Sequence, residues 1–443
     1  MATCWWLPEM LQRYFGAAPA ASWLAALACF AAFAGLHCAA FAAWVALLAR
    51  RGSASAAALA VGWAACEWAR GSLGVANPWA LSAYSQVDLR PVAQLADLAG
   101  PWGIAALLAG TNALLAGAFA PALRPARPLR AAAGLVALLA GALAYGQLQL
   151  AREHSQGPDL RVAVVQGGIA RPDGGGRGDS RAELERYLAL TGEAVAAAAP
   201  DLVIWPEGAL DFSPSEPTAR MLRLRDASRD LAADLLLGAP RRGENGTRRN
   251  SMLLLRRGRL RGVQDKLELM PFSERSVGAG PLRLGRDAYA PGEAIRLLES
   301  GGLRIGTAIC SEAMGPDFLR RVVAAGATLL VNPSNDYWFT SAEAARQQLA
   351  KARLRAIESR RFLVRATSTG YSALVDPRGD VVARGGFGSA EWLAGSVRGA
   401  ADTTLHQRAG WAFGPGAFAL AIAAALRRPG RARPHPRIEG ARS

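Results

Sequence analysis

Residues Ala20–Ala49 contain no side chain that is charged at neutral pH. As a helix rising about 1.5 Å per residue, such a run exceeds the ~30 Å hydrocarbon thickness of a bilayer. Three more runs share this property: Leu98–Leu123, Ala131–Ala151 and Ala409–Leu426. A weaker stretch, Ala54–Trp68, is shorter and runs into Glu67 and Arg70. With only 19% charged residues and a mean hydropathy of +0.12, the chain reads as a membrane protein.

The arginines give the orientation. Arg50 and Arg51 follow the first run, and Arg124, Arg127 and Arg130 separate the third from the fourth. Arg427, Arg428, Arg431, Arg433 and Arg437 follow the last. Under the positive-inside rule all three clusters face the cytoplasm. Five spans, at about 20–49, 54–70, 98–123, 131–151 and 409–426, satisfy this together. Four spans without 54–70 would split the clusters between the two sides. The reading is therefore a membrane domain over 1–151, an extracytoplasmic domain over 158–400, a C-terminal span over 409–426 and a cytoplasmic Arg/Pro-rich tail over 427–443. Met1–Pro19 lacks the basic start of a signal peptide and precedes an apolar run too long for one.

The net charge of +16 does not indicate nucleic acid. Only Lys266 and Lys351 are lysines; every other strong base is Arg, a compositional bias with no interleaved aromatic and basic patch. Of five cysteines, four lie in the first seventy residues and Cys310 stands alone in the remainder, with no CxxC pair. No metal site is indicated, and the scattered His37, His154, His406 and His435 do not add one.

From Asp159 onward, short apolar β-branched runs alternate with helical stretches. The runs are 161–166, 201–205, 234–238, 303–309, 328–332 and 362–367; the helical stretches include 181–198 and 342–361. This alternation predicts an α/β domain. Hairpins are expected at 252–256/259–264 and 371–376/380–383, turning at Arg257-Gly258 and Pro377-Arg378-Gly379, so the sheets are not purely parallel. No GxGxxG follows the first strand.

Three chemically capable residues follow strands: Glu207 after DLVIWP, Lys266 after RGVQD and Cys310 after LRIGTAI. Each alone has an ordinary reading as a surface carboxylate, a solvated ammonium or a small buried hydrophobe. Together they form a complete set. A carboxylate takes the thiol proton, and an ammonium stabilises the thiolate and the oxyanion that follows its attack.

The ordered blocks WPEG (205–208), DKLELMPFSE (265–274), AICSEA (308–313) and NPSNDYWF (332–339) resemble the nitrilase superfamily. ARLRAIE (352–358), STG (368–370) and the membrane-side EWARGSLGVANPW (67–79) with YSQ (84–86) narrow the resemblance, over residues 20–426, to the apolipoprotein N-acyltransferase family. The resemblance implies a nitrilase-like αββα sandwich on a bundle of transmembrane helices. It implies Cys310 as nucleophile, Glu207 as general base and Lys266 as oxyanion stabiliser, supported by Glu274, Glu312 and the backbone N–H of Ser311. It further implies a phospholipid acyl donor, a diacylglyceryl-modified apolipoprotein acceptor, a Cys thioester between them and no cofactor. The location implied is the bacterial cell membrane, with the catalytic domain on its outer face.

Some positions depart from the family pattern. Ser311 replaces a Tyr, Ser273 a Gly and Gln348 a His, and the Gly-rich stretch 172–180 has no Trp. The family usually has about eight spans, and this chain starts near the third or fourth. Two other readings stand beside the acyltransferase: a membrane-tethered nitrilase-like amidase, and a catalytically silent scaffold.

Overall fold

The computed structural model describes residues 4–427 except 75, 120–126, 170–178, 214–216, 244–245, 281–282 and 286. Arg124, the tail beyond 427 and most of the Gly-rich stretch 172–180 lie outside the described residues.

The described residues form twelve strands. The first five are β1 (Asp159–Gln166), β2 (Leu202–Ile204), β3 (Asp234–Arg242), β4 (Arg248–Arg256) and β5 (Arg259–Asp265). They are followed by β6 (Leu298–Ser300), β7 (Leu303–Thr307), β8 (Leu329–Ser334), β9 (Leu363–Thr367), β10 (Ala373–Val375), β11 (Val381–Arg384) and β12 (Glu391–Arg398). One sheet has the order β12-β1-β2-β3-β4-β5 and the other β11-β10-β9-β8-β7-β6. The centre of each is parallel and the margins antiparallel.

Side chains alternate across each strand, so one strand serves two cores. Val162, Val164, Ile204, Leu236 and Leu254 meet Ile305, Val331, Val364 and Leu374 between the sheets. Their neighbours Ala163, Val165, Val203, Leu235 and Leu237 face outward, under helices Ser180–Ala198 and Ala219–Asp230. On the other side Leu330, Leu363, Ala373 and Val375 lie under helices Pro316–Ala324 and Ala342–Ser359. The result is the αββα sandwich expected.

Both hairpins form. Arg257 (φ +48°) and Gly258 (φ +72°) give the two consecutive positive φ values of a type I′ turn. The sequence reading did not anticipate β6, β12 or the helices Ala219–Asp230 and Pro316–Ala324. β6 has only three residues, and β12 is a half-exposed edge strand whose EWLAGSVR lacks an apolar alternation. The 303–309 run is strand only to Thr307, and Cys310 opens a short 3-10 turn, Cys310–Ala313.

The apolar runs are helical. Pro19–Phe30 continues through a wide turn at Ala31–Gly35 into Leu36–Arg50; the others are Ala56–Ser72, Ala96–Ala116, Pro128–Ala151 and Phe413–Leu426. Pro19–Arg50, Ala96–Ala116 and Pro128–Ala151 are long and apolar enough to cross a bilayer.

Packing fixes their directions. A Cβ on Gly62 would strike the Trp44 ring at 2.3 Å, and Trp44 Nε1 donates to Ala421 O at 3.0 Å. Gly110 faces Ala60, Gly71 faces Trp102 and Gly414 faces Trp68. Ala56–Ser72 therefore runs antiparallel to three neighbours. Arg51, whose Nη1 donates to Ala425 O at 2.8 Å and Arg427 O at 2.9 Å, marks the end of these helices where Arg50, Arg51 and Arg427 lie.

The opposite end carries the sandwich. Leu81, Tyr84, Val92, Trp102 and Ile104 pack on Leu354 and Ile357 of the helix Ala342–Ser359. A buried ion pair fastens the joint. Arg360 reaches Asp97 Oδ2 at 2.6 Å and 3.0 Å, while Tyr145 donates to Asp97 Oδ1 at 2.8 Å. Removing one partner of such a pair strands the other charge away from water. We expect Asp97→Ala to destabilise the protein by about 3 kcal/mol, read as a lowered thermal midpoint in detergent; an unchanged midpoint would contradict the buried pairing.

Candidate active site

Three loops at the same edge of the sandwich bring the sequence-selected residues together. Trp205 leads out of β2, stacked on Tyr187 with ring centroids 4.9 Å apart, and its Nε1 donates to Thr191 Oγ1 at 2.9 Å. Pro206 and Gly208 (φ +63°) then turn the chain, and Glu207 points inward, 6% exposed. Lys266 directly follows β5; its N–H donates to Asn250 O at 2.8 Å, and its side chain is 1% exposed. Asp265, one residue earlier, is held by Arg241, Arg249 and Ser251 on the outer side of the same strand end.

Lys266 Nζ lies 3.2 Å from Glu207 Oε1 and 3.0 Å from Glu274 Oε1. Asn250 Nδ2 donates to the same two oxygens at 2.7 Å and 3.1 Å. The free corners are held by backbone: Asn335 N–H donates to Glu207 Oε2 at 2.8 Å and Met270 N–H to Glu274 Oε2 at 2.7 Å. Burial alone would lower the Lys266 pKa, but Glu207, Cys310 and Glu274 outweigh it and hold the amine well above the ordinary lysine value. At neutral pH Lys266 is therefore an ammonium.

Cys310 has φ +52°, a left-handed conformation that costs a non-glycine residue on the order of 1–3 kcal/mol. This bend sets the thiol near Glu207 and Lys266, whose charges both act on it, and beside Ser334. Burial first, and the Glu207 carboxylate second, push the thiol up to about 12, against the pull of Lys266. The resting sulfur is therefore a thiol.

Glu312 holds the bend. Its carboxylate accepts from Leu267 N–H at 2.7 Å, Glu268 N–H at 3.0 Å and Ile309 N–H at 2.7 Å, tying the lysine loop to the cysteine turn. Complete burial pushes its carboxyl up to about 8, although those N–H groups and Lys266 favour the charged form. Ser311 follows Cys310 in the turn, where backbone N–H groups have no partner within the helix.

All six sequence-selected residues thus gather at one place. Several others were not assigned individually. Asn250 bridges the two glutamates. Ser334 and Asp336 share a 2.6 Å hydrogen bond, and Arg365 binds Asp336 Oδ2 at 2.6 Å as well as Asn332. Asn332, Ser334, Asn335 and Asp336 lay inside a recognised block, yet their separate tasks follow only from the fold. Asn250 carried no such signal, since it lies in the polar RRNS start of β4 ahead of the apolar MLLL. No group of His, Cys, Asp and Glu able to hold a metal occurs among the described residues.

Gly238 on β3 is the tightest support of the Glu207 loop. A Cβ there would stand 2.4 Å from Pro206 O and 2.6 Å from Glu207 Cα. We expect Gly238→Ala to cost about 1–3 kcal/mol and to displace Glu207. The check is an unfolding midpoint together with reactivity of Cys310; wild-type values for both would contradict the contact.

Comparison with known proteins agrees with this architecture. Residues 161–398 match the carbon-nitrogen hydrolase family, and residues 1–114 match the apolipoprotein N-acyltransferase N-terminal domain. The apolipoprotein N-acyltransferase of Geobacter metallireducens is 31% identical over 405 residues, covering 87% of this chain and 77% of that protein. That of Caulobacter vibrioides is 34% identical over 378 residues, 79% of this chain and 68% of its own length. The Azotobacter vinelandii protein of the same name is 34% identical over 406 residues, 88% of this chain and 77% of its own. With a carbon-nitrogen hydrolase match over the sandwich and the family's own N-terminal domain ahead of it, the chain belongs to the apolipoprotein N-acyltransferase family.

Proposed function

We propose that this protein transfers an acyl chain from a phospholipid to the α-amino group of a diacylglyceryl-cysteine at the start of an apolipoprotein, through a thioester on Cys310. The observation that carries the reading is the buried Glu207–Lys266–Glu274 cluster beside the strained Cys310.

The resting thiol sets the sequence of events. Sγ attacks the donor ester carbonyl as its proton passes to Glu207, so no free thiolate accumulates. The negative charge moves to the carbonyl oxygen, where Lys266 Nζ and the Ser311 N–H stabilise it. Collapse breaks the ester C–O bond, and the leaving lysophospholipid alkoxide takes the proton back from Glu207. The acceptor amine then attacks the thioester and gives its proton to Glu207; the sulfur leaves and recovers it as a thiol. Glu274 and Asn250 keep Lys266 and Glu207 in register through both halves.

Both substrates are lipids, which fits a sandwich seated directly on apolar helices. The arginine clusters at the far end of those helices support a cytoplasmic placement of that end and an outer placement of the site. In a Gram-negative host this is the periplasmic face of the inner membrane.

Reconstituted protein given phospholipid and a diacylglyceryl-cysteine peptide should release lysophospholipid and N-acylate the peptide, with an acyl mass on Cys310 that is absent in Cys310→Ala. Ammonia from small amides without lysophospholipid would establish the amidase instead. Lys266→Arg should slow acylation by about 10²-fold or more, the scale of a lost oxyanion donor. Because the thiol sits near 12, its alkylation by iodoacetamide should keep rising about tenfold per pH unit through pH 10, where free cysteine with a pKa of about 8.5 has levelled off. A rate that levels off by about pH 9.5 would show an ordinary thiol and exclude the coupled proton transfer.

A further inference from the structure

Lys351 is the only lysine besides Lys266 in a chain with 51 strong bases. It lies in the helix Ala342–Ser359 and is 2% exposed. Its hydrogen bond to Gln348 Oε1 is long, at 3.5 Å, whereas Nζ stands 3.2 Å from the centroid of the Trp79 ring. Burial, then Arg365, push this amine well below the ordinary lysine range, with Arg355 adding to the effect and Cys4 and Asp336 opposing it. A methionine would fill the same space with no buried N–H to satisfy. The π face of Trp79 is the partner that offsets this cost.

Trp79 comes from the loop that leaves the helix Ala56–Ser72. Its backbone is fixed by Arg70 Nη1, donating to Trp79 O at 2.6 Å, and by Asn77 Oδ1, which accepts from Trp79 N–H at 3.0 Å. Its ring is fixed from the helix Ala342–Ser359, by Gln347 Oε1 accepting from Nε1 at 2.7 Å and by Lys351 one turn further on. On its other sides the ring meets Trp6 at 5.2 Å and Phe339 at 5.6 Å. Phe339 closes the turn that begins at Asn335: its N–H donates to Asp336 O at 2.9 Å, and Asn335 N–H holds Glu207 at 2.8 Å.

We propose that Lys351 is a positioning residue for acyl transfer, clasping Trp79 of the membrane-side loop so that Phe339 and the 335–339 turn keep Glu207 aimed at Cys310. This rests on the acyltransfer reading of the site. It links the membrane-side loop to the general base through named contacts, and it gives the second lysine a task.

The test uses full-length protein in detergent and follows acyl-enzyme formation on Cys310 from a phospholipid by rapid quench. Wild type, Lys351→Met, Trp79→Leu and the double variant are compared well below their melting midpoints. Lys351→Met should slow acylation by about 10-fold and have no further effect when combined with Trp79→Leu. Lys351→Gln provides the same comparison should Lys351→Met fold poorly. Wild-type acylation in the lysine variant, or an equal loss when it is added to Trp79→Leu, overturns the clasp alone. Absence of acyl-enzyme on the wild-type protein overturns the acyltransfer reading and the clasp with it.

Discussion

An ammonium buried between two glutamate side chains is the interaction on which the site depends. Lys266 could not stay charged at 1% exposure without the side chains of Glu207 and Glu274 against it. The carboxylate oxygens of the trio are also held by Asn250, the Asn335 N–H and the Met270 N–H. Such a network tolerates little movement, because any displaced member leaves a charge unpaired in low dielectric. In the proposed reaction this rigidity matters most when negative charge arrives on the substrate, since the lysine is already in place and no water has to reorient.

The same requirement explains why the strained cysteine turn is built as it is. Cys310 adopts a left-handed conformation at a non-glycine position, and Glu312 maintains it by collecting three backbone N–H groups from two loops. The carboxylate does not touch the proposed reacting atoms; it joins the lysine loop to the cysteine turn so that both move together. A raised thiol pKa follows from the burial this geometry enforces. In the proposed mechanism that keeps the sulfur protonated until a substrate carbonyl is present to receive it.

Coupling between the two halves of the molecule is the second constraint. The sandwich meets the apolar helices through the Leu354 and Ile357 face of one helix and through the Arg360–Asp97 pair, and Trp79 reaches the loop carrying Asn335. A soluble sandwich would need none of these contacts. They set the height and tilt of the site relative to the apolar bundle, which matters when substrates are themselves confined to a lipid layer.

What the sequence determined by itself is what short-range patterns encode. Charge-free runs gave the apolar helices, arginine placement gave their expected orientation, short β-branched runs gave most strands, and four ordered blocks with the ARLRAIE, STG and membrane-side segments gave the family resemblance and six candidate site residues. β12 escaped because a half-exposed edge strand has no apolar alternation to read. The tasks of Asn250, Ser334, Asp336 and Arg365 escaped because they depend on partners far along the chain. Only the tertiary structure could decide that Asn250 on β4 and Asn335 beyond β8 hold the same carboxylate, or that Lys351 in the helix Ala342–Ser359 lies on Trp79 from the loop after Ala56–Ser72. Hydrogen bonds and ring contacts are made at distances of a few ångströms, and the order of residues along a chain does not specify which distant loops the sheet topology brings that close.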